Sequence, residues 1–457
     1  MPAAPARTTL ASRYLDRIGQ AGIPASQLIG PLAQSELLNA LYQGRYLSRP
    51  VFIGHGERAR LHADLENLRG ALISLPDRLF GGDLAAFASA TGMAGYQREA
   101  IVREVQAGGR PAAAVASRLA RVDMYADETG FHVLEFNMGS AIGGMDNPDI
   151  CRALLQHPVL AAFAAEHGLG FTDTTSGLID TIFAETGLER GSFPVVALAN
   201  WPSRRPHMVR YMRSLAERWR GLGLDTHPCH VGELSVRNGR VWLGTRAVDI
   251  IYRMFPTAQL LQPDASALMA PLLGAAERGE VVLFTPLASE MFGSKSALAM
   301  VSDDRNAHLF TAAERASIAS VLPWTRLIQP GIMRYALDNQ EGLVLKPAML
   351  HGGRGVLLGW QPDTTPQVWR DHVVAAASDA DHVIQRRIHP IPELFPDENG
   401  EQVPWIVLWG AFTVAAKGTG CDHGGLYARA VPGDGQASLI TRDGGAFVGG
   451  CLAVERG

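Results

Sequence analysis

The chain reads as an α/β protein of mixed, α+β character, and three features of its sequence predict that class. Between Ser192 and Glu290, short apolar runs alternate with segments of helical length. Residues 8 to 120 place apolar side chains at helical spacing and carry few strand signals. Beyond residue 340 strand-like runs return in "EGLVLKPA", "GVLLGW", "DHVIQRRI", "WIVLWGAFTV" and "GLYARAV", interrupted by the helical "PQVWRDHVVAAAS". At 457 residues the chain is too long for one simple core, so two or three domains sharing an interface are expected.

In the N-terminal part, "SELLNALYQGRYLS", "ARLHADLENLRGALISL" and "GYQREAIVREVQA" repeat apolar residues every three or four positions, the period of a half-buried helix. The next segment, "RVDMYADETGFHVLEFN", alternates instead, and its "ADETG" reads as the turn of a β-hairpin. Side chains two apart on a strand share a face, so Glu135 and Asn137 point one way, as do Arg121 and Asp123. If the strands pair across the Asp127 to Gly130 turn, these four meet, with Leu134 and Phe136 on the opposite face. Asp123, Glu135 and Asn137 then form an oxygen cage beside an Arg, a set suited to Mg2+ carrying a phosphate, because that ion prefers hard oxygen ligands. A half-exposed hairpin with a merely solvated polar face shows the same alternation.

From Ser192 to Glu290 the run "FPVVALANW", the helix "PHMVRYMRSLAERWRGLG", "DTHPCHV", "VDIIYRMF", the helix within "DASALMAPLLGAAERG" and "VVLFTPL" imply a parallel sheet with both faces covered. Lys295, in "MFGSKSALAM", stands just before the helix that follows, where a helix N-terminus favours an anion. In "LVLKPAMLHGGRGVLLG", Lys346 ends an apolar strand and Gly352, Gly353 and Gly355 form a turn to the next. Glycines let backbone N-H groups approach phosphate oxygens closely, and Lys346 adds a point charge. The order strand, turn, strand differs from both the Walker A loop and the dinucleotide fingerprint, and a plain tight hairpin would look alike.

A formal charge of -4 provides no broad basic surface, which argues against nucleic acid as a partner. No apolar run nears the roughly 18 residues of a membrane span, and the N-terminus lacks an apolar signal core, so the expected location is cytoplasmic. Cys151, Cys229, Cys421 and Cys451 are too scattered for a zinc site or a disulfide framework and are expected as buried thiols.

With these residues in view, the chain resembles the ATP-grasp superfamily, and in particular its circularly permuted branch, which includes glutathionylspermidine synthetase-like enzymes. In that family a metal hairpin reads R-x-D and then E-x-N, matched here by Arg121, Asp123, Glu135 and Asn137. The nucleotide lysines, Lys295 and Lys346, follow the hairpin rather than precede it, which is the permuted order. The resemblance covers residues 118 to 435. It implies an N-terminal helical region (1–117), a permuted segment with the metal hairpin (118–190), a Rossmann-like substrate-side domain (191–300), and a nucleotide-binding lobe with C-terminal strands (301–457).

The resemblance further implies ATP and Mg2+ as cofactors. It implies an adenine hinge at Gln385, Arg386, Arg387 and Ile388, and Glu393 on the ribose hydroxyls. Arg253, after "IIY", would face a substrate carboxylate or phosphate, with an ion pair to Asp249 as the structural alternative, and Arg429 in "GGLYARAVPG" would face phosphate or an acyl intermediate. "NMGSAIGGMDNPDI" stands where the branch often carries an acidic stretch; Gly139, Gly143 and Gly144 make it a substrate or phosphate loop with Asp146 as a further anchor. Ser203, Arg204 and Arg205 offer either an anion site or a surface basic turn. The implied activity joins a small-molecule carboxylate to an amine through an acyl phosphate, without nucleic acid or membrane partners and with room for a homo-oligomer. A small-molecule kinase and a silent nucleotide-binding scaffold are the rivals. A dinucleotide oxidoreductase ranks last, because "WPSRRP" replaces a glycine fingerprint after the first strand.

Overall fold

The computed structural model describes residues 6–108, 112–350, 352–379, 381–418, 420–433 and 445–455. Its largest sheet runs in the order Val51–Ile53, Phe447–Val454, Cys421–Pro432, Gln402–Ala415, Ala120–Ala126, Phe131–Met138. Only the first pair is parallel. The strand Gln402–Ala415 lies near its centre, and "IVLWGAFTV" is buried throughout. A strand covered on both faces reads as a continuous apolar run rather than an alternation. One cover is the helix His55–Phe80, whose Leu61, Leu65 and Leu68 share a core with Trp409, Ala411 and Leu426. The other is the helix Thr174–Thr186, whose Leu178 and Ile182 pack with Phe412, Val414 and Tyr427. Each fully buried Leu here contributes about 2 kcal/mol of transfer free energy.

This sheet joins stretches far apart in the chain. The strands Gln402–Ala415 and Cys421–Pro432 lie with the hairpin of residues 120–138, because Gly410 pairs with Asp123 and Trp409 with Met124. The N-terminal region is mostly helical in its described residues and also joins this sheet. Its short strand Val51–Ile53 pairs with Cys451–Ala453 and is wholly buried.

The alternation of residues 192–290 does form an all-parallel sheet, ordered Val282–Phe284, Ile250–Arg253, Val195–Asn200, Asp225–His230. Between its strands a three-stranded antiparallel meander, Leu234–Arg237, Arg240–Leu243 and Arg246–Val248, is an excursion that the sequence reading passed over. A fourth sheet, antiparallel, runs Thr325–Leu327, His382–Arg386, Leu343–Pro347, Leu357–Leu358. The helices Pro330–Asp338 and Pro366–Asp379 cover it around Trp369, whose indole N-H donates to the Ala336 carbonyl at 2.9 Å. All four cysteines are buried free thiols. Among the described residues no helix is long and apolar enough to cross a membrane.

The helix Lys295–Ser302 links these units, and its seat is set by a glycine. A Cβ on Gly293 would lie 2.4 Å from the Phe136 carbonyl oxygen and 2.9 Å from the Met138 nitrogen, so only glycine lets this segment rest on the hairpin backbone. Ser294 then caps the helix, accepting from Ala297 N at 3.0 Å. Gly293→Ala is therefore expected to cost about 1–3 kcal/mol by forced separation of helix and hairpin, read as a fall in the thermal midpoint. An unchanged midpoint would show that this seat yields freely.

Candidate functional site

The hairpin forms because Asp127 Oδ1 accepts from the N-H groups of Thr129 (2.7 Å) and Gly130 (3.2 Å), closing the turn. The register that follows sets Arg121 opposite Asn137 and Asp123 opposite Glu135. All four side chains line one cavity. Arg121 donates to both oxygens of Asp123, at 2.7 and 2.8 Å, and Arg429 reaches Asp123 Oδ2 at 3.2 Å from the strand Cys421–Pro432 of the same sheet. A bulge after Asp123 leaves Leu134 unpaired, and instead of packing on the far face as expected, Leu134 also lines the cavity.

Two lysines complete this wall. Lys295 Nζ donates to Glu135 Oε1 at 2.8 Å and to the Leu350 carbonyl at 2.7 Å, while its backbone N-H donates to the Ala348 carbonyl. Lys346 Nζ donates to Gln385 Oε1 at 2.5 Å and to the Leu134 carbonyl at 3.2 Å. Burial, reinforced by the Lys295 ammonium and opposed by Glu135, pushes the Lys346 amine down to about 7. Gly352, Gly353 and Gly355 all hold positive φ between the two strands. Gly352 and Gly353 face the cavity, and a Cβ on Gly355 would lie 2.8 Å from Pro347 Cγ.

The cavity holds about 700 Å3. The loop Gly139–Gly144 and Tyr42, Asp146, Asn200, Arg204, Tyr211 and Met254 line it as well. Asn200 and Met254 stand at the carboxyl ends of the strands Val195–Asn200 and Ile250–Arg253, the usual ligand crevice of a parallel sheet. The side chain of Arg205 lies outside the described residues.

Three expected site positions are placed otherwise than expected. Arg253 does not line the cavity: it is fully buried, ion-paired to Glu290 rather than to Asp249, and bonded to the carbonyls of Phe255 (2.6 Å) and Thr285 (3.3 Å). Glu290 in turn accepts from Thr257 N and Oγ1, so the pair holds the parallel sheet together. Glu393 does not line the cavity; its carboxylate accepts from the buried Arg49 at 2.9 Å. In the hinge, Arg386 and Ile388 line the cavity, but the N-H groups of Arg386 and Arg387 donate to the Trp324 and Gly342 carbonyls and so are not donors for a base. The Gln385 side chain spans Lys346 and Thr325 Oγ1, and Arg387 stacks on Trp360 at 4.1 Å.

Sequence reasoning missed Trp360, Tyr427 and Tyr42, which all line the cavity. Tyr427 was within reach of it, two positions before Arg429 on the same strand and so on the same face. Nothing local marked Tyr42, which comes from the helix Glu36–Tyr42 and donates to Asp146 Oδ2 at 2.5 Å. Burial and the adjacent Asp146 carboxylate hold the Tyr42 hydroxyl well above its usual range, so it remains a donor.

Two carboxylates and one amide fit a Mg2+ ion that keeps its other positions for water and phosphate. Asn137 Nδ2 and Arg429 Nε are buried on this wall without a protein partner, which suits a wall built for a polar ligand. Both carboxylates already bond to cations, so an ion would share their oxygens. Among the described residues no group of three His, Cys, Asp or Glu forms a metal cluster on its own.

No protein-family model matches the chain, and no curated protein matches it in sequence. Solved structures do. A glutathione synthetase-like effector from Globodera pallida, in its apo form, superposes with a TM-score of 0.57 at 12% identity, over 97% of this chain and 96% of that one. This chain thus shares that protein's overall fold. A putative gamma-glutamylcysteine synthetase from Methylobacillus flagellatus aligns at 13% identity over 83% of this chain and 87% of its own, with a TM-score of 0.43.

Two outcomes are expected. Arg253→Met should cost about 3–5 kcal/mol by stranding Glu290, seen as a lower thermal midpoint, and a midpoint within a degree or so of the parent would contradict the pairing. Phosphates placed beside Lys346 should raise its depressed pKa, so nucleotide binding takes up a proton above about pH 7 and affinity falls as pH rises from there. Calorimetry in buffers of different ionisation enthalpy measures that uptake; finding it undiminished in Lys346→Met would assign the proton elsewhere.

Proposed function

We propose that the chain is an ATP-dependent ligase of the ATP-grasp kind, permuted in chain order, that activates a carboxylate as an acyl phosphate and joins it to an amine. One observation carries this reading: Lys295 and Lys346, from separate parts of the fold, meet Arg121, Asp123, Glu135 and Asn137 on one cavity wall beside a glycine turn. Such a set suits a polyphosphate better than any other small ligand, because it pairs fixed cations with oxygen donors and open backbone. The fold shared with a glutathione synthetase-like effector supports it. So does the sheet pairing that sets an early hairpin beside late strands, as a permuted chain order requires.

In this mechanism the nucleotide lies between the glycine turn and the lysine sheet, its base near Ile388 and Trp360. Lys346 and Lys295 hold phosphate oxygens, and Arg121 and Arg429 neutralise charge where the acyl phosphate forms. Asp123, Glu135 and Asn137 would hold Mg2+, which supplies charge neutralisation on the β- and γ-phosphates. The substrate carboxylate oxygen attacks the γ-phosphorus and ADP departs with the electron pair of the broken bond. The amine then attacks the acyl carbon, phosphate leaves, and a proton passes to solvent. The glycine turn keeps water away from the acyl phosphate.

The test is ATP turnover with Mg2+ across paired panels of amino acids and small carboxylic acids, following ADP and phosphate separately. Both products should appear only with a particular acid and amine, and Glu135→Gln should lower turnover about 100- to 1,000-fold when assayed well below its own melting temperature, which falls because Lys295 loses its buried counter-ion. ADP without free phosphate would mean transfer to a stable acceptor, a kinase. Nucleotide binding without turnover on any pair would mean a scaffold.

A further inference from the structure

Tyr427 lines the cavity and has no task in the mechanism described above. It stands opposite Gly410, which stands opposite Asp123, so the three form one row across three neighbouring strands on one face of the large sheet. A Cβ on Gly410 would lie 2.0 Å from Tyr427 Cε1 and 2.5 Å from Cδ1. The ring therefore lies across the strand Gln402–Ala415 and points toward the strand that carries Asp123. On the loop above, a Cβ on Gly144 would come within 3.2 Å of Cε1 and Cζ. Main chain from two elements thus fixes the same edge of the ring.

The charges around this ring belong to the phosphate wall. The guanidinium carbons of Arg121 and Arg429 lie 5.8 and 5.6 Å from its centre, and both arginines bond to Asp123. Tyr427 is only 4% exposed, and among the described residues its hydroxyl makes no hydrogen bond. A buried hydroxyl left without a partner costs about 1–3 kcal/mol, a cost that a polar ligand in the cavity would remove. Tyr42, by contrast, is already engaged by Asp146. Burial raises the Tyr427 phenol above its usual range against the opposing pull of Arg121 and Arg429, so it remains a proton donor at neutral pH.

Resting on the ligase reading, we infer that Tyr427 is a further catalytic residue, whose hydroxyl donates to a non-bridging oxygen of the phosphoryl group as that group passes from the nucleotide to the substrate carboxylate. Charge in such a transfer spreads over three equatorial oxygens. Arg121 and Arg429 meet it as cations, and the neutral tyrosine adds a directed donor without a third positive charge beside them. The hydroxyl keeps its proton throughout. The bond from the γ-phosphorus to the ADP oxygen breaks with its electron pair going to ADP, and the carboxylate oxygen supplies the pair for the new bond. Because two glycine backbones hold the ring in advance, the donor needs no reorganisation at the moment of transfer.

Inorganic phosphate tests this without requiring turnover. The full chain, saturated with Mg2+ and ADP, is titrated with phosphate by calorimetry, as the parent and as Tyr427→Phe, which keeps the ring and removes the hydroxyl. The variant should bind phosphate about 10- to 100-fold more weakly, with unchanged ADP affinity and a melting temperature no lower than the parent's. Equal phosphate affinity in the two proteins, or no saturable phosphate binding by the parent, overturns the assignment. A parallel fall in ADP affinity would make the hydroxyl a general support of the cavity, which overturns it as well. If an acid and amine pair consumes ATP while Tyr427→Phe keeps the parent's phosphate affinity and kcat, the ligase reading stands and the assignment falls. If the variant loses phosphate affinity while no pair consumes ATP, the phosphate contact stands and the ligase reading falls.

Discussion

The ion pair between Lys295 and Glu135 is the contact on which the rest of the site depends. Lys295 is only 7% exposed and Glu135 17%, so each would be costly to bury alone, and the fold must keep them together. The same lysine fastens two further pieces of chain, through the Ala348 and Leu350 carbonyls. Three units thus converge on one side chain: the large sheet through its hairpin, the lysine sheet through the segment after Pro347, and the helix that follows the parallel sheet. Lys346 is positioned as a consequence, its ammonium reaching the Leu134 carbonyl across the same junction. Burial is the main cause of the lowered pKa of Lys346, and the neighbouring Lys295 ammonium adds to it.

What the sequence disclosed follows from the range of the forces involved. The hairpin was legible because strand periodicity is local and a four-residue turn fixes the register, so Asp123, Glu135 and Asn137 could be grouped before any sheet was known. The bulge was not legible, since "HVLEFN" alternates as smoothly with the extra residue as without it, and one residue turned Leu134 from core to cavity wall. The glycine turn was legible for the same local reason, because Gly352, Gly353 and Gly355 each need a backbone conformation that other residues resist.

The misread residues share a different property. Arg253 and Glu393 both look like ligand-facing charges when taken with their neighbours in sequence, yet each is satisfied by a partner on another element. Arg253 meets Glu290, and Glu393 meets Arg49 from the opposite end of the chain. A buried guanidinium demands several acceptors at once, and the Phe255 and Thr285 carbonyls that serve Arg253 come from a strand end and a loop whose approach only the folded sheet defines. The one strand among the described N-terminal residues was hidden for the same reason. Val51–Ile53 is three residues long, too short to announce itself among helices, and its pairing partner lies about four hundred positions away.

That short strand also explains how the N-terminal helices come to line the cavity through Leu41 and Tyr42. By pairing with Cys451–Ala453 it makes the first residues an edge of the large sheet, and the bridge between Tyr46 and Val448 extends the junction toward the cavity. The helix ending at Tyr42 lies four residues before that bridge, so its last turn is held where the hydroxyl meets Asp146. That hydrogen bond ties the N-terminal helix to the segment that carries Asp146. The loop just before it packs on the large sheet by main chain, since a Cβ on Gly144 would come within 3.1 Å of the Phe412 ring and 3.2 Å of the Tyr427 ring, and glycine is what lets the two approach so closely.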